Sequence, residues 1–162
     1  MTSLTQISLV SNQFTGGIPS DISNLVNLNN LYLSNNQFSG PLPSEIGFLS
    51  LSNLTLDGNQ FTGPIPPSYG NLTNLNQLDL SDNSLTGCYD PALTTLCTWS
   101  NIRISDGNSF DAAWQDYCMT GAGACVLHAH RFHMLKYNLQ TFILTMPVME
   151  SYSHHQMELA ID

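Results

Sequence analysis

Charged side chains are scarce in this sequence: Asp, Glu, Lys and Arg together make up 9% of its 162 residues. An ordinary soluble domain has roughly 25%. Basic residues are the scarcest, since only Arg103, Arg131 and Lys136 oppose twelve acidic residues, and the net charge is -9. A nucleic-acid-binding protein needs a basic surface, and an anionic membrane repels a chain of this charge. We therefore expect no nucleic-acid partner and no membrane insertion.

Histidine is missing from the first 127 residues. No Ser/His/Asp or Cys/His catalytic set can therefore be arranged there. His128, His130 and His133 are spaced by two and three residues, which does not place all three on one helical face. Asp79 and Asp82 are close in sequence, but solvation of a repeat surface explains both. We expect no enzymatic activity, no metal site and no cofactor.

Long apolar segments are also missing. The longest candidate, residues 126–146, contains three histidines, an arginine and a lysine, which a lipid-facing span does not tolerate. No signal peptide is visible, and the sequence begins inside a patterned segment. Because an N-terminal cap and a secretion signal would normally precede such a segment, we expect a fragment of a secreted or cell-surface protein in preference to a cytosolic protein.

A repeat occupies the first part of the chain. Asn12, Asn36, Asn59 and Asn83 are spaced by 24, 23 and 24 residues, a period typical of solenoids. Each is preceded by Leu or Ile at three, five and eight residues, and is followed by Phe or Leu at two and by Gly at four. One unit cannot bury its own apolar face, whereas four stacked units can.

Each repeated position has a physical interpretation. The L-x-L core of a unit alternates in and out, which predicts a short strand that pairs in parallel with the next unit. The asparagine lies where the chain leaves this strand, and its amide can bond to backbone groups of the turn. We predict a structural ladder of Asn12, Asn36, Asn59 and Asn83. A Gly-x-Ile-Pro stretch then predicts a second extended segment, followed by a loose helical turn.

The pattern L-x-x-L-x-L-x-x-N-x-F-x-G-x-I-P resembles the plant-type class of leucine-rich repeats over residues 1–97. This class occurs in plant receptor-kinase ectodomains, polygalacturonase inhibitors and secreted bacterial proteins. The resemblance implies an α/β repeat: a right-handed solenoid with a short-strand parallel sheet on the concave face and loops or 3₁₀ turns on the convex face. A small helical C-terminal cap over residues 98–125 completes the predicted fold. The family implies a ligand-binding scaffold without catalysis.

The cysteines all follow the last repeat, as Cys88, Cys97, Cys118 and Cys125. The absence of a C-x-x-C pair and of an intervening histidine disfavours zinc. Two disulfides across the end of the solenoid fit better and imply an oxidising compartment. Three pairings can be drawn, and we favour Cys88–Cys97 with Cys118–Cys125 as local loops. Four reduced, buried thiols are the alternative.

A cap helix is predicted to start within residues 108–111, where a polar residue is followed by an acidic one. Residues 104–111, together with Trp114 and Cys118, resemble the C-terminal cap of bacterial members of the family. Phe110, Ala113, Trp114 and Tyr117 share one face of this predicted helix, which Gly121 and Gly123 would end. We expect that face to close the last coil, in preference to forming an aromatic platform for sugars.

The outward strand positions form the predicted ligand-binding surface. They are polar, nearly uncharged in the first unit and acidic in the last. We predict binding of a neutral or basic peptide, or of a glycan, and the alternative is a solvated face without a ligand. The residues of this surface are Tyr32, Ser34, Thr55, Asp57, Gln77, Asp79, Ser81 and Asp82.

The favoured function is therefore recognition of a protein or peptide, and two alternatives stay open. The first is a glycan-binding or polygalacturonase-inhibitor-like role. The second is ice binding, suggested by a hydroxyl row of Thr15, Ser39, Thr62 and Thr86, although satisfaction of turn backbone explains that row better. The chain also contains two N-glycosylation sequons, at residues 53–55 and 71–73, which the repeat pattern produces by itself.

Residues 126–162 have a different composition, with all five histidines and four of the six methionines. Apolar residues at helical spacing before Pro147 predict either a helix over 127–146 or a disordered tail. The segment is interpreted as a linker, a docking helix or an out-of-frame product.

Overall fold

The computed structural model describes residues 3–120, in which short strands and 3₁₀ helices alternate along a stack of coils. The first strands of successive coils are β1 (Gln6–Ser8), β3 (Asn30–Tyr32), β5 (Asn53–Thr55), β7 (Gln77–Asp79) and β9 (Ile102–Arg103). They form one parallel sheet in the order β1-β3-β5-β7-β9, here called the first sheet. Its register pairs equivalent residues, as in Leu31 with Leu54 and Leu54 with Leu78. The first sheet forms the concave side of the solenoid, as predicted.

A second parallel sheet runs along the stack. Its strands are β2 (Thr15–Gly16), β4 (Gln37–Pro41), β6 (Gln60–Gly63), β8 (Ser84–Gly87) and β10 (Ser109–Phe110). The sequence analysis predicted a second extended segment in each unit but did not predict that these segments pair into a sheet. Its register is staggered, since Ser39 pairs with Gln60 and Thr62 pairs with Ser84. The hydroxyl row considered for ice binding therefore runs obliquely across the strands.

A 3₁₀ helix returns the chain in each of the first four coils, as η1 (Ser20–Asn24), η2 (Ser44–Phe48), η3 (Pro67–Asn71) and η4 (Pro91–Thr98). Pro19, Pro43 and Pro66 directly precede η1, η2 and η3. Proline fixes an extended entry and cannot donate a backbone hydrogen bond, so it defines where the turn begins. Asp90 precedes η4 and caps it by accepting a hydrogen bond from the Ala92 N–H at 2.9 Å.

The core is a stack of leucine layers between the two sheets and the 3₁₀ helices. Leu28, Leu51 and Leu75 occupy equivalent positions and are fully buried, whereas Leu4 in the first coil is 40% exposed. Inner coils are covered by neighbours on both sides, which is why stacking supplies most of the burial in a solenoid. Stacked rings of Phe14, Phe38 and Phe61 continue this layering along the second sheet, with centroids 6.1 and 6.3 Å apart.

The cap differs from the prediction, because the segment expected to start a helix belongs to a fifth coil. β9 pairs with β7, and β10 pairs with β8. The helix α1 (Trp114–Thr120) begins only after these strands. Trp114 and Tyr117 pack around Tyr89 with ring centroids 5.1 Å away and are 5% and 2% exposed. These buried rings close the last coil and cannot present a sugar platform.

The favoured cysteine pairing is wrong. Cys97 in η4 is bonded to Cys118 in α1, with Cα atoms 5.3 Å apart, and Cys88 is also disulfide-bonded. The two bonded residues are 21 positions apart, close to one repeat. Stacking of coils therefore brings them together, whereas the predicted pairs lie within single loops. Cys125, the predicted tail helix and the boundary at residue 126 lie outside the described residues.

Removing the Cys97–Cys118 bond is expected to lower the free energy of unfolding by about 3 kcal/mol. The cross-link restricts the unfolded chain, and without it the unfolded state regains about that much chain entropy. The paired change Cys97→Ala with Cys118→Ala, measured by urea unfolding, checks this value. The matched control is Thr98→Ala, an exposed neighbour, whose stability should stay within about 0.5 kcal/mol. An equal loss in both proteins would contradict a role for the cross-link.

Buried tyrosines make the fold sensitive to alkali. Burial raises the pKa of Tyr69, Tyr89 and Tyr117, and the negative charge of Glu45 raises that of Tyr69 further. A pKa raised in the folded state means that stability is complete below about pH 10, the unfolded value, and falls as pH rises above it. Each fully buried tyrosine contributes a slope of about 1.4 kcal/mol per pH unit there.

Tyr69→Phe is the sharpest test of this pH dependence. The Tyr69 hydroxyl is buried and has no hydrogen-bond partner among the described residues. Its removal should cost no stability at neutral pH and should reduce the loss above pH 10 by one tyrosine's slope. Urea unfolding at pH 7, 10 and 11, with absorbance at 295 nm to follow ionisation, measures both. A large loss at pH 7 would contradict the assignment of an unpartnered hydroxyl.

Candidate functional site

The outward side chains of the first sheet form rows across the strands, because the register pairs equivalent residues. One row contains Gln6, Asn30, Asn53 and Gln77, and a second contains Ser8, Tyr32, Thr55, Asp79 and Arg103. Three more predicted residues lie two positions beyond the ends of β3, β5 and β7: Ser34, Asp57 and Ser81. The polar residues predicted for ligand binding thus lie on one side of one sheet.

Several of the predicted residues are bonded to each other and have little exposed surface. The Ser34 hydroxyl lies 2.8 Å from Thr55 Oγ1 and 2.6 Å from Asp57 Oδ1, and both Ser34 and Thr55 are buried. A hydroxyl donates only one proton at a time, so Ser34 donates to Asp57 while it accepts from Thr55. This arrangement fixes the half-buried carboxylate of Asp57 and leaves the two hydroxyls little capacity for a ligand.

Asp79 has a positioning role that the sequence did not indicate. Its Oδ1 accepts hydrogen bonds from the Ser81 N–H at 3.1 Å and from the Ser81 hydroxyl at 2.5 Å. Its Oδ2 lies 3.3 Å from Arg103 Nη1. Asp79 and Ser81 are both buried, whereas the Arg103 side chain is 59% exposed. Asp79 therefore holds the guanidinium at the surface and is itself mostly covered.

Arg103 is a charged residue of the first sheet that sequence reasoning missed. It belongs to the fifth coil, where Ile102-Arg103-Ile104 occupies the L-x-L position, and this spacing was the available signal. The carboxylates of Asp79, Asp106 and Asp82 raise the pKa of its guanidinium above the usual value. The end of the sheet that was predicted to be acidic therefore presents a cation between carboxylates.

Asp82 lies in a turn with a left-handed backbone. Ser11, Asn35 and Asp82 have positive φ of 56°, 56° and 51°, and Gly58 and Gly107 occupy the same column. The column is tightly stacked, since a Cβ on Gly107 would lie 2.2 Å from Asp82 Oδ1 and 2.8 Å from Asp82 Cα. Asp82 is exposed. It combines a turn conformation that Asp tolerates with a solvent-facing carboxylate.

The asparagines link each coil to the one before it. Asn36, Asn59, Asn83 and Asn108 each accept through Oδ1 from a backbone N–H of the preceding coil, at 3.0–3.1 Å. Their Nδ2 groups donate to carbonyls of the preceding coil and of their own turn, as Asn59 does to Leu33 and Leu56 at 3.0 Å. The Asn12 side chain bonds only within its own turn, and Asn108 is a fifth member that the sequence analysis did not include.

Among the residues predicted for ligand binding, those with exposed or half-buried side chains are Tyr32, Asp57, Gln77 and Asp82, and the exposed Arg103 belongs to the same sheet. Tyr32 is half-buried, and its hydroxyl lies 3.5 Å from Asn30 Oδ1. Within residues 3–120, no three His, Cys, Asp or Glu side chains are grouped to hold a metal ion. Over the same residues, no helix is long and apolar enough to cross a membrane.

Comparisons with known proteins agree with this architecture. A family model described as Leucine Rich Repeat matches residues 3–25, 27–49, 50–72 and 74–96, more than half of the chain. Among curated proteins, no match is found.

Crystal structures of plant receptors resemble the chain. The TDR receptor is 40% identical with a TM-score of 0.64, and the match covers 67% of this chain and 19% of the receptor. The plant peptide hormone receptor RGFR1, in complex with RGF2, is 34% identical with a TM-score of 0.64, over 67% of this chain and 18% of that one. The ectodomain of the Arabidopsis receptor kinase HAESA, with an N-terminally extended IDA peptide hormone ligand, is 31% identical with a TM-score of 0.62, over 67% and 19%.

The chain spans less than a fifth of each of these receptors. The Leucine Rich Repeat family model nevertheless matches more than half of the sequence. The matched repeats each contribute one strand to each of the two parallel sheets. The chain belongs to the leucine-rich-repeat family.

Proposed function

We propose that the chain is a non-catalytic recognition module that binds a peptide or an extended protein segment along the first sheet, outside the cell. The observation that carries this proposal is the likeness to receptor ectodomains whose structures contain peptide hormones, RGFR1 with RGF2 and HAESA with IDA. The disulfides support an oxidising compartment.

The exposed groups of the first sheet favour an extended ligand of mixed polarity. Tyr32 offers an amphipathic ring, Asp57 and Asp82 offer carboxylates, and Arg103 offers a cation that pairs with a carboxylate of the ligand. Five strands at about 4.8 Å spacing span about 19 Å, the length of roughly five or six extended residues. A peptide laid across the strands would contact each of these groups in turn.

The area of the face limits the affinity. Strands about 10 Å long give the first sheet about 200 Å² of outward surface, whereas a standard interface buries about 800 Å² per partner. We therefore expect this chain alone to bind a peptide weakly, with a Kd nearer micromolar than nanomolar. Glycan binding and ice binding stay predictions.

Selection from a random peptide library on the immobilised chain tests the proposal. Selected peptides are expected to lose at least tenfold in affinity for the double variant Tyr32→Ala with Asp57→Asn, measured by calorimetry. These two residues are chosen because Asp79 also positions Ser81 and Arg103, so its replacement would disturb the sheet.

The matched control changes two exposed residues of the second sheet, Gln37→Ala and Gln60→Ala. It should bind the selected peptides as the unmodified chain does. Peptides that bind both double variants equally would place the ligand elsewhere and overturn the proposal.

A further inference from the structure

The two N-glycosylation sequons lie in opposite environments. Asn53 is in β5, where its Nδ2 donates to Asn30 Oδ1 at 2.6 Å. Thr55 of the same sequon is 6% exposed, and its hydroxyl bonds with that of Ser34. An N-linked glycan is bulky and lies at the surface, so a folded chain that carried one on Asn53 would have to break the bond to Asn30. At residues 53–55 the fold already uses both the asparagine amide and the threonine hydroxyl.

Asn71 offers both groups to solvent. It ends η3 and is exposed, and its amide makes no hydrogen bond within residues 3–120. Thr73 is also exposed, and its backbone N–H donates to the Asn71 carbonyl at 2.8 Å, a tight local turn. A glycan at this position would need no bond of the repeat to be broken.

A groove of about 310 Å³ lies beside Asn71 and is lined by Phe48, Leu49, Leu51 and Thr73, among others. Phe48 occupies the position in η2 that Asn71 occupies in η3, and it is 69% exposed. Most of the surface of Phe48 is therefore open to solvent. The C–H face of a sugar ring packs favourably against an aromatic face, which is negative.

We propose that Asn71 carries an N-linked glycan whose first N-acetylglucosamine packs against Phe48 in this groove, and that Asn53 stays unmodified. The proposal rests on the extracellular location proposed above. Because Asn71 ends η3 and lies outside the first sheet, the glycan leaves the proposed ligand-binding surface uncovered.

Secretion of the full 162-residue chain from plant cells, behind a removable signal peptide, tests the site. Glycan release in ¹⁸O-water marks each occupied asparagine for mass spectrometry. Most molecules are expected to be marked at Asn71 and none at Asn53. Thr73→Ala should abolish the modification, while Thr73→Ser should retain it. An unmodified Asn71, or an occupied Asn53 in the folded fraction, would overturn the proposal.

Thermal unfolding tests the contact with Phe48. The glycosylated chain should unfold about 2–4 °C above the Thr73→Ala variant, the effect of one aromatic contact in a chain of this size. In a Phe48→Ala background the same difference should fall below about 1 °C. Equal differences in both backgrounds would refute the packing. The added signal peptide directs secretion whether or not the natural protein is extracellular. Peptide binding is measured separately, by calorimetry on the Thr73→Ala variant. A failed glycan prediction therefore does not decide whether the chain binds peptides.

Discussion

Replacing Asn59 with alanine is expected to lower the free energy of unfolding by about 3–5 kcal/mol. Asn59 is buried, accepts from the Phe38 N–H, and donates to the carbonyls of Leu33, Leu56 and Asp57 at 3.0–3.2 Å. Alanine would leave the Phe38 N–H and the carbonyls without this partner in a place that water reaches poorly. Each buried group left unpaired costs about 1–3 kcal/mol. Urea unfolding followed by circular dichroism measures the loss.

Asn12 provides the matched control for Asn59. It holds the equivalent position in the first coil but is exposed, and its side chain bonds only to the Leu9 and Val10 carbonyls of its own turn. Asn12→Ala should therefore cost no more than about 1 kcal/mol, because water can replace its bonds. If both variants lost the same stability, the ladder would act through local turns and the links between coils would contribute little.

The repeated unit could be predicted from the sequence because each of its positions is constrained in the same way in every coil. Leu28, Leu51 and Leu75 must fill equivalent layers, and the asparagine must satisfy equivalent backbone groups. A constraint that recurs at a fixed period leaves a signal that chance does not imitate. The first sheet, the 3₁₀ turns and the family all follow from it.

The fifth coil could not be recognised in the same way, because its signals are shifted and substituted. Asn108 follows Asn83 by 25 residues, whereas the earlier spacings are 23 or 24, and isoleucines replace the leucines at 102 and 104. The polar start at Asn108 also fits the beginning of a helix. The sequence analysis therefore predicted a helix start at this place, and the stacking of β10 on β8 overrides that local pattern.

Pairings between coils were the other part that the sequence could not supply. The bond between Cys97 and Cys118 and the ion pair between Asp79 and Arg103 each join residues about one repeat apart. Neither pair recurs, so neither produces a periodic signal. Reasoning from neighbouring residues instead favoured disulfides within short loops. It also predicted an acidic end of the binding surface, without the positive charge that Arg103 adds. Only the placement of the last coil against the fourth determines these contacts.

The 3₁₀ helices impose a second large constraint, at Gly70. A Cβ added there would lie 2.1 Å from the Ala92 carbonyl oxygen and 2.8 Å from its carbon. These atoms are backbone at the start of η4, which Pro91 and the buried Leu93 hold in place. They cannot rotate away as the end of a flexible side chain could. Gly47 meets Ser68 in the same way one coil earlier, with a Cβ 2.3 Å from the Ser68 oxygen.

Gly70→Ala is therefore expected to lower the free energy of unfolding by about 3 kcal/mol or more, since it forces η3 and η4 apart. Gly17→Ala is the matched control, because its Cβ would meet only the Ser39 oxygen, at an ordinary 3.5 Å. That change should leave stability unchanged or raise it by about 0.4–1 kcal/mol, through a less flexible unfolded chain. Opposite signs for the two alanines in urea unfolding would show that close stacking of the 3₁₀ helices requires glycine. Similar small effects would mean that the coils can separate without cost, which a repeat held together by its neighbours does not allow.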